Sequence, residues 1–250
     1  MESGITERNK METTRIFITG DKHGSFNSFF RLKDKNELYD TDILFIAGDA
    51  RYVWDEDYEL QIQTLEQVFP GEIVFIDGNH ENFDILDSLE VSTWHGGRVH
   101  RLGTRVYHLM RGEVYEIGGE VFFVFGGASS TDKDDRREKG KNWWPQEEPS
   151  DDEMEYGRKN LMDNLNRITY VITHESPLFA RAHITREKPI EEGYHLPHVF
   201  DEWYDIVTKG KNFKKWYFGH MHVDQKITDD LVALFNEILV IGTDEKMRQV

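Results

Sequence analysis

Histidine, aspartate and asparagine recur in this sequence at the ends of short apolar runs, and their side chains can bind metal ions or transfer protons. Five apolar runs end in this way. The polar clusters that follow them are Asp21-Lys22-His23, Gly48-Asp49, Gly78-Asn79-His80-Glu81, His174-Glu175 and Gly219-His220-Met221-His222. Short runs rich in β-branched and aromatic residues are typical of buried strands. Because ligands gather at the carboxyl ends of strands in open α/β sheets, the five clusters predict one shared site.

The residue types in these clusters are those that bind divalent ions. Asp21 and His23 are two residues apart, as are His220 and His222, which places both members of a pair on one side of an extended segment. A mixture of carboxylate, amide and imidazole ligands fits Mn²⁺, Fe, Zn²⁺ or Ni²⁺ better than Ca²⁺. A carboxylate that bridges two ions holds them about 3.5–4 Å apart, the separation used in two-metal phosphoryl chemistry.

The elements that must position these clusters begin as alternating strands and helices. Predicted strands cover 15–19, 43–47 and 72–77, and predicted helices cover 25–33, 56–69 and 83–89. This order indicates a mostly parallel sheet. From 105 to 127, alternation broken by glycine predicts antiparallel hairpins instead, with a tight turn at Gly118-Gly119. Further along, the predicted elements are a helix over 150–167 capped by Ser150 and Glu153, a strand over 169–173, a loop over 175–195, a helix over 196–208 and strands over 215–218, 231–235 and 238–241.

The domain organisation predicted from these elements is simple. Residues 1–14 are polar and lack periodicity, so we expect a loose tail. Residues 15–250 contain no linker or internal repeat, which indicates one domain. A polar insert at about 126–150 is too long for a plain connection, and such segments are usually functional or disordered.

The composition limits the partners of the chain. The 250 residues include 30 Lys and Arg against 47 Asp and Glu, a formal charge of −17, and no cysteine. A strongly negative chain disfavours duplex nucleic acid, whose affinity depends on neutralising phosphates. Without cysteine, disulfides and thiolate metal sites are excluded. No apolar run approaches the roughly 20 residues of a membrane span, and the first twenty residues lack a signal peptide's apolar core. We expect a cytoplasmic protein with no membrane contact, and the oligomeric state stays open.

In this order, the clusters resemble the motifs of the calcineurin-like metallophosphoesterases over residues 20–222. The resemblance implies an α/β fold, a four-layer α/β/β/α sandwich with mixed sheets, and a dinuclear metal centre. The implied ligands are Asp21, His23, Asp49 and His222 for one ion, and Asp49, Asn79, His174 and His220 for the other. In family members a metal-bound hydroxide attacks the phosphorus. Asp49 would bridge the ions, and His80 would contact the phosphate and be a candidate acid for the leaving oxygen.

The sequence departs from the family pattern at one position near His80. Many members continue the second motif as Gly-Asp-x-x-Asp-Arg-Gly, but Tyr52 stands where the second acidic residue would be. Asp55 or Asp77 could orient His80 instead. This departure argues against the Ser/Thr protein phosphatase branch of the family. Glu81 is expected to orient a ligand rather than to bind metal.

The insert resembles that of a sub-group of bacterial and phage metallophosphoesterases. The matching residues are Gly126-Gly127-Ala128-Ser129-Ser130, Asp132-Lys133, Arg136, Trp143-Trp144-Pro145 and Glu148-Pro149-Ser150. Its basic residues could clamp a phosphate or could simply be solvated. The predicted substrate-binding residues are Asn79, His80, Arg51, Lys133 and Arg136. The Trp pair could stack a base, although packing of the loop onto the sandwich explains it better. Glu147 and Glu148 are expected to be solvated.

The sequence therefore predicts a metal-dependent phosphoric ester hydrolase with two divalent ions, most favourably Mn²⁺. The expected partner is a small phosphorylated substrate, either a phosphomonoester or a small, nucleotide-like phosphodiester. A nuclease or cyclic-nucleotide phosphodiesterase is the alternative enzyme. A non-catalytic binding scaffold with the same fold is the alternative from another class. Such scaffolds usually lose metal ligands, and this sequence keeps all those that the resemblance implies.

Overall fold

The structure is a computed structural model that describes residues 14–130, 132–138, 142–186 and 195–242. The predicted tail over 1–14 lies, apart from residue 14, outside the described residues. The strands are β1 Ile16–Thr19, β2 Ile43–Ile46, β3 Glu72–Ile76, β4 Val91–Trp94, β5 Gly97–Arg101, β6 Val106–Leu109, β7 Val114–Ile117, β8 Glu120–Phe125, β9 Tyr170–Thr173, β10 Lys215–Phe218, β11 Gln225–Lys226, β12 Leu231–Ala233 and β13 Leu239–Val240. The helices are α1 Asn27–Lys35, α2 Tyr58–Val68, α3 Phe83–Leu86, α4 Lys133–Glu138, α5 Asp151–Asn164, α6 Leu178–Thr185 and α7 His195–Val207.

The strands form two mixed sheets. The first sheet has the order β13-β1-β2-β3-β6-β5-β4, and the second has the order β11-β12-β10-β9-β8-β7. Strands β1, β2 and β3 run parallel, with Thr19 paired to Ile46 and Ile46 paired to Phe75. In the second sheet β9 and β10 also run parallel, with Thr173 paired to Phe218. The in-step pairing brings the polar clusters that follow neighbouring strands to the same edge of each sheet.

Alternate residues of the central strands face different layers. In β1, Ile16 and Ile18 pack between the two sheets, whereas Phe17 packs outward with residues of α1 and α2. Between the sheets, Phe45 and Phe122 stack with their ring centroids 5.2 Å apart. The outer face of the second sheet is covered by α5 and α7. Both faces of the central strands are therefore buried, which explains why they are continuous apolar runs. The predicted four-layer α/β/β/α sandwich is confirmed.

Several local predictions hold, and their physical basis is visible. The turn at Gly118 and Gly119 joins β7 to β8, and both glycines have positive φ (59° and 85°), as a tight hairpin turn requires. Ser150 caps α5 by accepting a hydrogen bond from the Glu153 amide (3.3 Å), and the Glu153 carboxylate accepts one from the Ser150 amide (2.8 Å). None of the helices in the described segments is long and apolar enough to cross a membrane.

Other local predictions were wrong. Strand β6 was expected to form a hairpin within 105–127, but it pairs in parallel with β3, and β7 and β8 belong to the other sheet. The β4–β5 hairpin, which turns at His95 and Gly96 with positive φ, was missed. The loop predicted over 175–195 contains helix α6, which begins directly after Pro177. Pro177 is the N-cap residue, and its carbonyl oxygen accepts hydrogen bonds from the amides of Ala180 and Arg181 (3.1 Å each).

Candidate metal centre

Two buried carboxylates and two imidazoles converge where the two sheets meet. Donor atoms of Asp21, His23, Asp49 and His222 all lie within 4.8 Å of one another. The Nε2 atoms of His23 and His222 are 3.0 Å apart. His222 Nε2 lies 3.5 Å from Asp21 Oδ1, and His23 Nε2 lies 3.8 Å from Asp49 Oδ2. Such a mixed oxygen and nitrogen donor set, with both carboxylates buried, fits a divalent transition metal.

A second set of donors lies on the other side of Asp49. His174 Nε2 is 3.3 Å from Asp49 Oδ1 and 3.2 Å from Asn79 Oδ1. His174 Nδ1 lies 2.8 Å from the Ala47 carbonyl oxygen, which can only accept, so Nε2 is the nitrogen left to face a metal. His220 Nε2 lies 3.5 Å from Glu175 Oε2, which leaves the Nδ1 of this residue for a metal.

The backbone of the ligand loops is strained. His23, Asp49, His220 and His222 all have positive φ, between 47° and 62°. This left-handed region is uncommon for residues other than glycine and is found at functional sites that the surrounding structure holds in place. Backbone amides supply part of that restraint: the His220 amide donates to Asp21 Oδ2 (3.0 Å) and the His80 amide donates to Asp49 Oδ1 (2.9 Å).

Two glycines allow the loops to approach one another. Gly48 has a φ of 86°, and a Cβ atom there would overlap the His174 ring. A Cβ atom at Gly78 would overlap Asp49 Oδ1. Any side chain at either position would therefore displace Asp49 or His174 from the centre.

Asp49 and His174 stabilise each other's charged forms. Burial disfavours the His174 imidazolium, but the Asp49 carboxylate outweighs this effect and raises the pKa of His174 to about 10. Burial also opposes ionisation of Asp49, yet His174, with smaller contributions from His80 and His23, holds the Asp49 pKa well below its usual range. Without metal, the pair is a carboxylate beside an imidazolium, and the proton occupies the position that a cation would take.

His80 lies beside the centre, where Asp49 acts on it electrostatically, but no carboxylate of the described residues hydrogen-bonds its ring. Its ring is half-buried, 5.4 Å from the His23 ring, and burial lowers the pKa of His80 to about 4. Tyr52 is fully buried, and its hydroxyl donates to the Ser25 carbonyl oxygen (2.6 Å). The suggestion that Asp77 replaces the missing acid is wrong, because that carboxylate is bound by Arg111 and His108. Asp55, the other suggested replacement, is exposed.

Glu81 holds the loop that carries Asp49. Its carboxylate accepts hydrogen bonds from the amides of Ala50 (2.8 Å) and Arg51 (3.1 Å) and is fully buried. Burial, together with the nearby Asp49 charge, raises the Glu81 pKa well above its usual range. Glu81 thus holds the strained loop that carries Asp49.

The basic residues predicted to bind substrate have other contacts. The Arg51 guanidinium lies 4.2 Å from the Trp54 ring centroid. Lys133 Nζ is 3.6 Å from a Glu148 carboxylate oxygen. Arg136 Nη2 donates to Glu147 Oε1 (2.7 Å). None of these three basic residues lines the cavity that opens over Asp49, Asn79 and His80.

One tryptophan of the insert packs against the sandwich. The Trp144 ring meets the Trp54 ring edge to face, with centroids 5.7 Å apart, and Arg137 lies over the Trp143 ring. Glu147 was expected to be solvated, but it is fully buried, because Ser130 and Arg136 reach it from earlier in the chain. The prediction that Glu147 is solvated was wrong.

A cavity of about 360 Å³ opens over the centre. It is lined by Asp49, Asn79, His80, Asp132, Arg181, His220, Met221 and His222. Arg181 was missed because α6 was predicted as a loop, and it contacts the Glu175 carboxylate at 3.3 Å. Glu175 belongs to the His174-Glu175 cluster of the sequence, six residues before Arg181.

The fold and the donor set are those of a metal-binding α/β sandwich. The chain belongs to the calcineurin-like phosphoesterase family, whose model matches residues 14–224. Membership implies metal-dependent hydrolysis of phosphoesters. Among solved structures, TT1561 of Thermus thermophilus is similar at 12% sequence identity and a TM-score of 0.48, over 94% of this chain and 100% of that one. A search of curated proteins found no sequence that matches this chain.

Proposed function

We propose that the chain hydrolyses a phosphomonoester or a small, nucleotide-like phosphodiester at a centre of two divalent ions. One observation carries this proposal: the two oxygens of the Asp49 carboxylate face two different donor sets. Oδ2 faces His23 at 3.8 Å, and Oδ1 faces His174 at 3.3 Å. A carboxylate in this position can bridge two ions, and the glycines and buried Glu81 around it hold it there.

The proposed ligands divide around this carboxylate. Asp21, His23, Asp49 and His222 would hold one ion, and Asp49, Asn79, His174 and His220 would hold the other. When bound, such ions lower the pKa of water and neutralise charge on the phosphoryl oxygens. Oxygen and imidazole donors without thiolates favour Mn²⁺, with Fe, Zn²⁺ and Ni²⁺ as alternatives.

His80 and Arg181 would act on the substrate itself. His80 lines the cavity without a hydrogen bond to its ring among the described residues, so a ring N–H can donate to a phosphoryl oxygen. Because burial lowers its pKa to about 4, His80 would protonate the leaving oxygen only after the bound anionic phosphate has raised that pKa. Arg181 also lines the cavity, and its guanidinium would bind a second anionic group there. A cavity of this size and a net charge of −17 favour a small substrate over duplex nucleic acid.

The test uses purified chain that has been stripped with a chelator and reloaded with Mn²⁺. Matched chromogenic monoesters and diesters are assayed, together with a cyclic nucleotide and single-stranded DNA. We expect metal-dependent hydrolysis of the monoester, abolished by Asp49→Asn and strongly reduced by His80→Gln. Metal analysis of the protein as purified identifies the ions and their number.

The other outcomes are informative in different ways. Activity on diesters alone would replace the monoesterase proposal with a phosphodiesterase or nuclease. Stoichiometric binding of two ions without hydrolysis of any ester in the panel would support the non-catalytic scaffold. Binding of a single ion would contradict the bridging role of Asp49.

A further inference from the structure

The insert reaches the proposed metal centre through the side chain of Asn79. Asn79 Nδ2 donates a hydrogen bond to Ser130 Oγ (3.0 Å), and Ser130 Oγ donates to Glu147 Oε2 (2.5 Å). Ser130 and Glu147 are buried, with exposures of 5% and 0%. The chain of hydrogen bonds therefore runs from the centre into the insert without contact with bulk water.

Arg136 completes this network. Its Nη2 donates to Glu147 Oε1 (2.7 Å), and its Nη1 donates to Ser130 Oγ (2.8 Å). Both guanidinium nitrogens also lie 3.4 Å from the Asn79 carbonyl oxygen. A guanidinium has no acceptor and stays charged, so it can only donate. It therefore fixes the direction of every bond it makes.

The directions of these bonds determine which way the Asn79 amide points. An ionised Glu147 can only accept, so it takes the single proton of the Ser130 hydroxyl. The two lone pairs of that hydroxyl then face donors, namely Arg136 and the Asn79 amide group. With its NH₂ group held by Ser130, Asn79 must turn Oδ1 the other way, toward His174 Nε2 at 3.2 Å.

The opposite orientation of the amide is disfavoured by the same network. A flipped Asn79 would place Oδ1 against a hydroxyl oxygen whose proton is already committed to Glu147. It would also present an NH₂ group, which has no lone pair for a metal, to the centre. Asn79 is useful as a ligand only in the orientation that the insert imposes.

We propose that Ser130, Arg136 and Glu147 are positioning residues that hold the Asn79 amide with its oxygen toward the metal centre. The inference rests on the proposed function, in which Asn79 is a metal ligand. It assigns a role to the insert that does not require its basic residues to touch substrate. Residues that orient a metal ligand typically change metal affinity or activity by about 10- to 100-fold when they are replaced.

The decisive variant is Glu147→Gln, which keeps the shape of the side chain but can donate. The new amide can donate to Ser130, which frees the hydroxyl proton to meet a flipped Asn79. We expect the dissociation constant for Mn²⁺, measured by titration calorimetry on stripped protein, to rise about 10-fold or more. The titration is run at about pH 8, because burial raises the pKa of Glu147 to about 7.

Controls separate orientation from folding. Glu148→Gln removes the neighbouring charge, whose side chain is 45% exposed and pairs with Lys133, and should leave Mn²⁺ affinity within about twofold. Ser130→Ala should weaken binding as Glu147→Gln does, whereas Ser130→Thr, which keeps the hydroxyl, should restore it. Thermal unfolding of each variant in chelator shows whether the fold is retained.

A second background tests the polarity argument directly. In Asn79→Asp the two side-chain oxygens are equivalent, so there is no wrong orientation to prevent. There we expect Glu147→Gln to have no adverse effect on Mn²⁺ affinity. Unchanged affinity in Glu147→Gln alone, or an equal loss in both backgrounds, would overturn the inference while leaving the proposed function intact. Failure of the unsubstituted chain to bind Mn²⁺ would overturn both.

Discussion

Asp49 and Asp77 follow neighbouring parallel strands and are both buried, with exposures of only 1% each, but different cations compensate them. The Asp77 carboxylate is bound by the Arg111 guanidinium at 2.5 Å and by His108 at 3.2 Å. The Asp49 carboxylate meets histidine side chains at 3.3 Å and 3.8 Å, and no lysine or arginine pairs with it among the described residues. Asp77 is compensated by the permanent positive charge of Arg111, whereas Asp49 is compensated by histidines, which can lose their charge.

This difference separates a structural carboxylate from a functional one. Burial would raise both pKa values, but Arg111 and His108 hold the pKa of Asp77 well below its usual range, as His174 does for Asp49. Arginine does not deprotonate in proteins, so the Asp77 pair is complete without a ligand. The proton on His174 can be replaced by a metal ion, so the charge of Asp49 can be compensated either by that proton or by the metal.

The largest effect is expected when the permanent cation is removed. Arg111→Met leaves Asp77 as an uncompensated buried charge, and we expect it to lower the free energy of unfolding by about 3–5 kcal/mol. Urea unfolding in chelator measures the change. Adding Asp77→Asn to the same chain should recover most of the loss. If the double variant is as unstable as the single one, Arg111 stabilises through packing and not through charge.

Replacement of the functional carboxylate, Asp49, should remove the stability that the protein gains from Mn²⁺. With Mn²⁺ at roughly 100 times its dissociation constant, we expect the unsubstituted chain to gain about 2.7 kcal/mol of stability. Asp49→Asn should lose this gain, and because the substitution also removes the partner of His174, only the difference with and without Mn²⁺ within each protein is compared. Asp77→Asn is the matched variant and should keep the Mn²⁺ gain. Thermal unfolding of all three proteins with and without Mn²⁺ makes the comparison, and equal gains in all three would contradict it.

The titratable partner of Asp49 should make metal-free stability depend on pH. His174 has a folded pKa of about 10 against an ordinary value of 6.5. Its contribution to the free energy of unfolding is therefore complete below about pH 6.5 and is lost as the pH rises toward 10. Between pH 6.5 and 8 we expect a decline of up to about 1.4 kcal/mol per pH unit. The range stops there because burial lowers the Lys22 pKa to about 8, and that group contributes in the opposite sense. Urea unfolding in chelator should show a flatter profile for Asp49→Asn, and parallel profiles would contradict the pairing.

The smallest effect is expected at the exposed partner of Arg111. Glu153 lies 3.3 Å from the guanidinium, but its side chain is 43% exposed, so solvent screens the pair. Glu153→Gln keeps the hydrogen bond to the Ser150 amide and should lower the free energy of unfolding by less than about 1 kcal/mol. A loss as large as that of Arg111→Met would mean that Glu153 shares the Asp77 compensation.

The proposed ligand loops could be predicted because their signal is local. Each cluster directly follows a short apolar run, and strands buried on both faces must be such runs. The residue types then specify the chemistry, as at Asn79 and His80. The same local rule failed for β6, because alternation identifies a strand but not its partner. β6 pairs with β3, which lies about thirty residues earlier, and not with the next strand.

The insert could not be predicted because its contacts are not local. Glu147 and Glu148 are adjacent and chemically identical, yet one is buried and the other exposed. Ser130 and Arg136 reach Glu147 from 17 and 11 residues away. Nothing in the spacing of these residues indicates that they meet, since α4 and the turn at Pro145–Glu147 must fold back on each other first.

The sequence by itself determined the order of the strands that carry the clusters, the polar residues at their ends and the family to which they belong. Only the tertiary structure decided which buried carboxylate has a permanent cation and which has a histidine. It also decided that Ser130 lies between Asn79 and Glu147 and is hydrogen-bonded to both. The physical reason is that a buried charge is compensated by whatever lies within a few ångströms of it. Residue 111 is brought to Asp77 by the pairing of β6 with β3 within the first sheet, and residue 174 is brought to Asp49 by the packing of the two sheets.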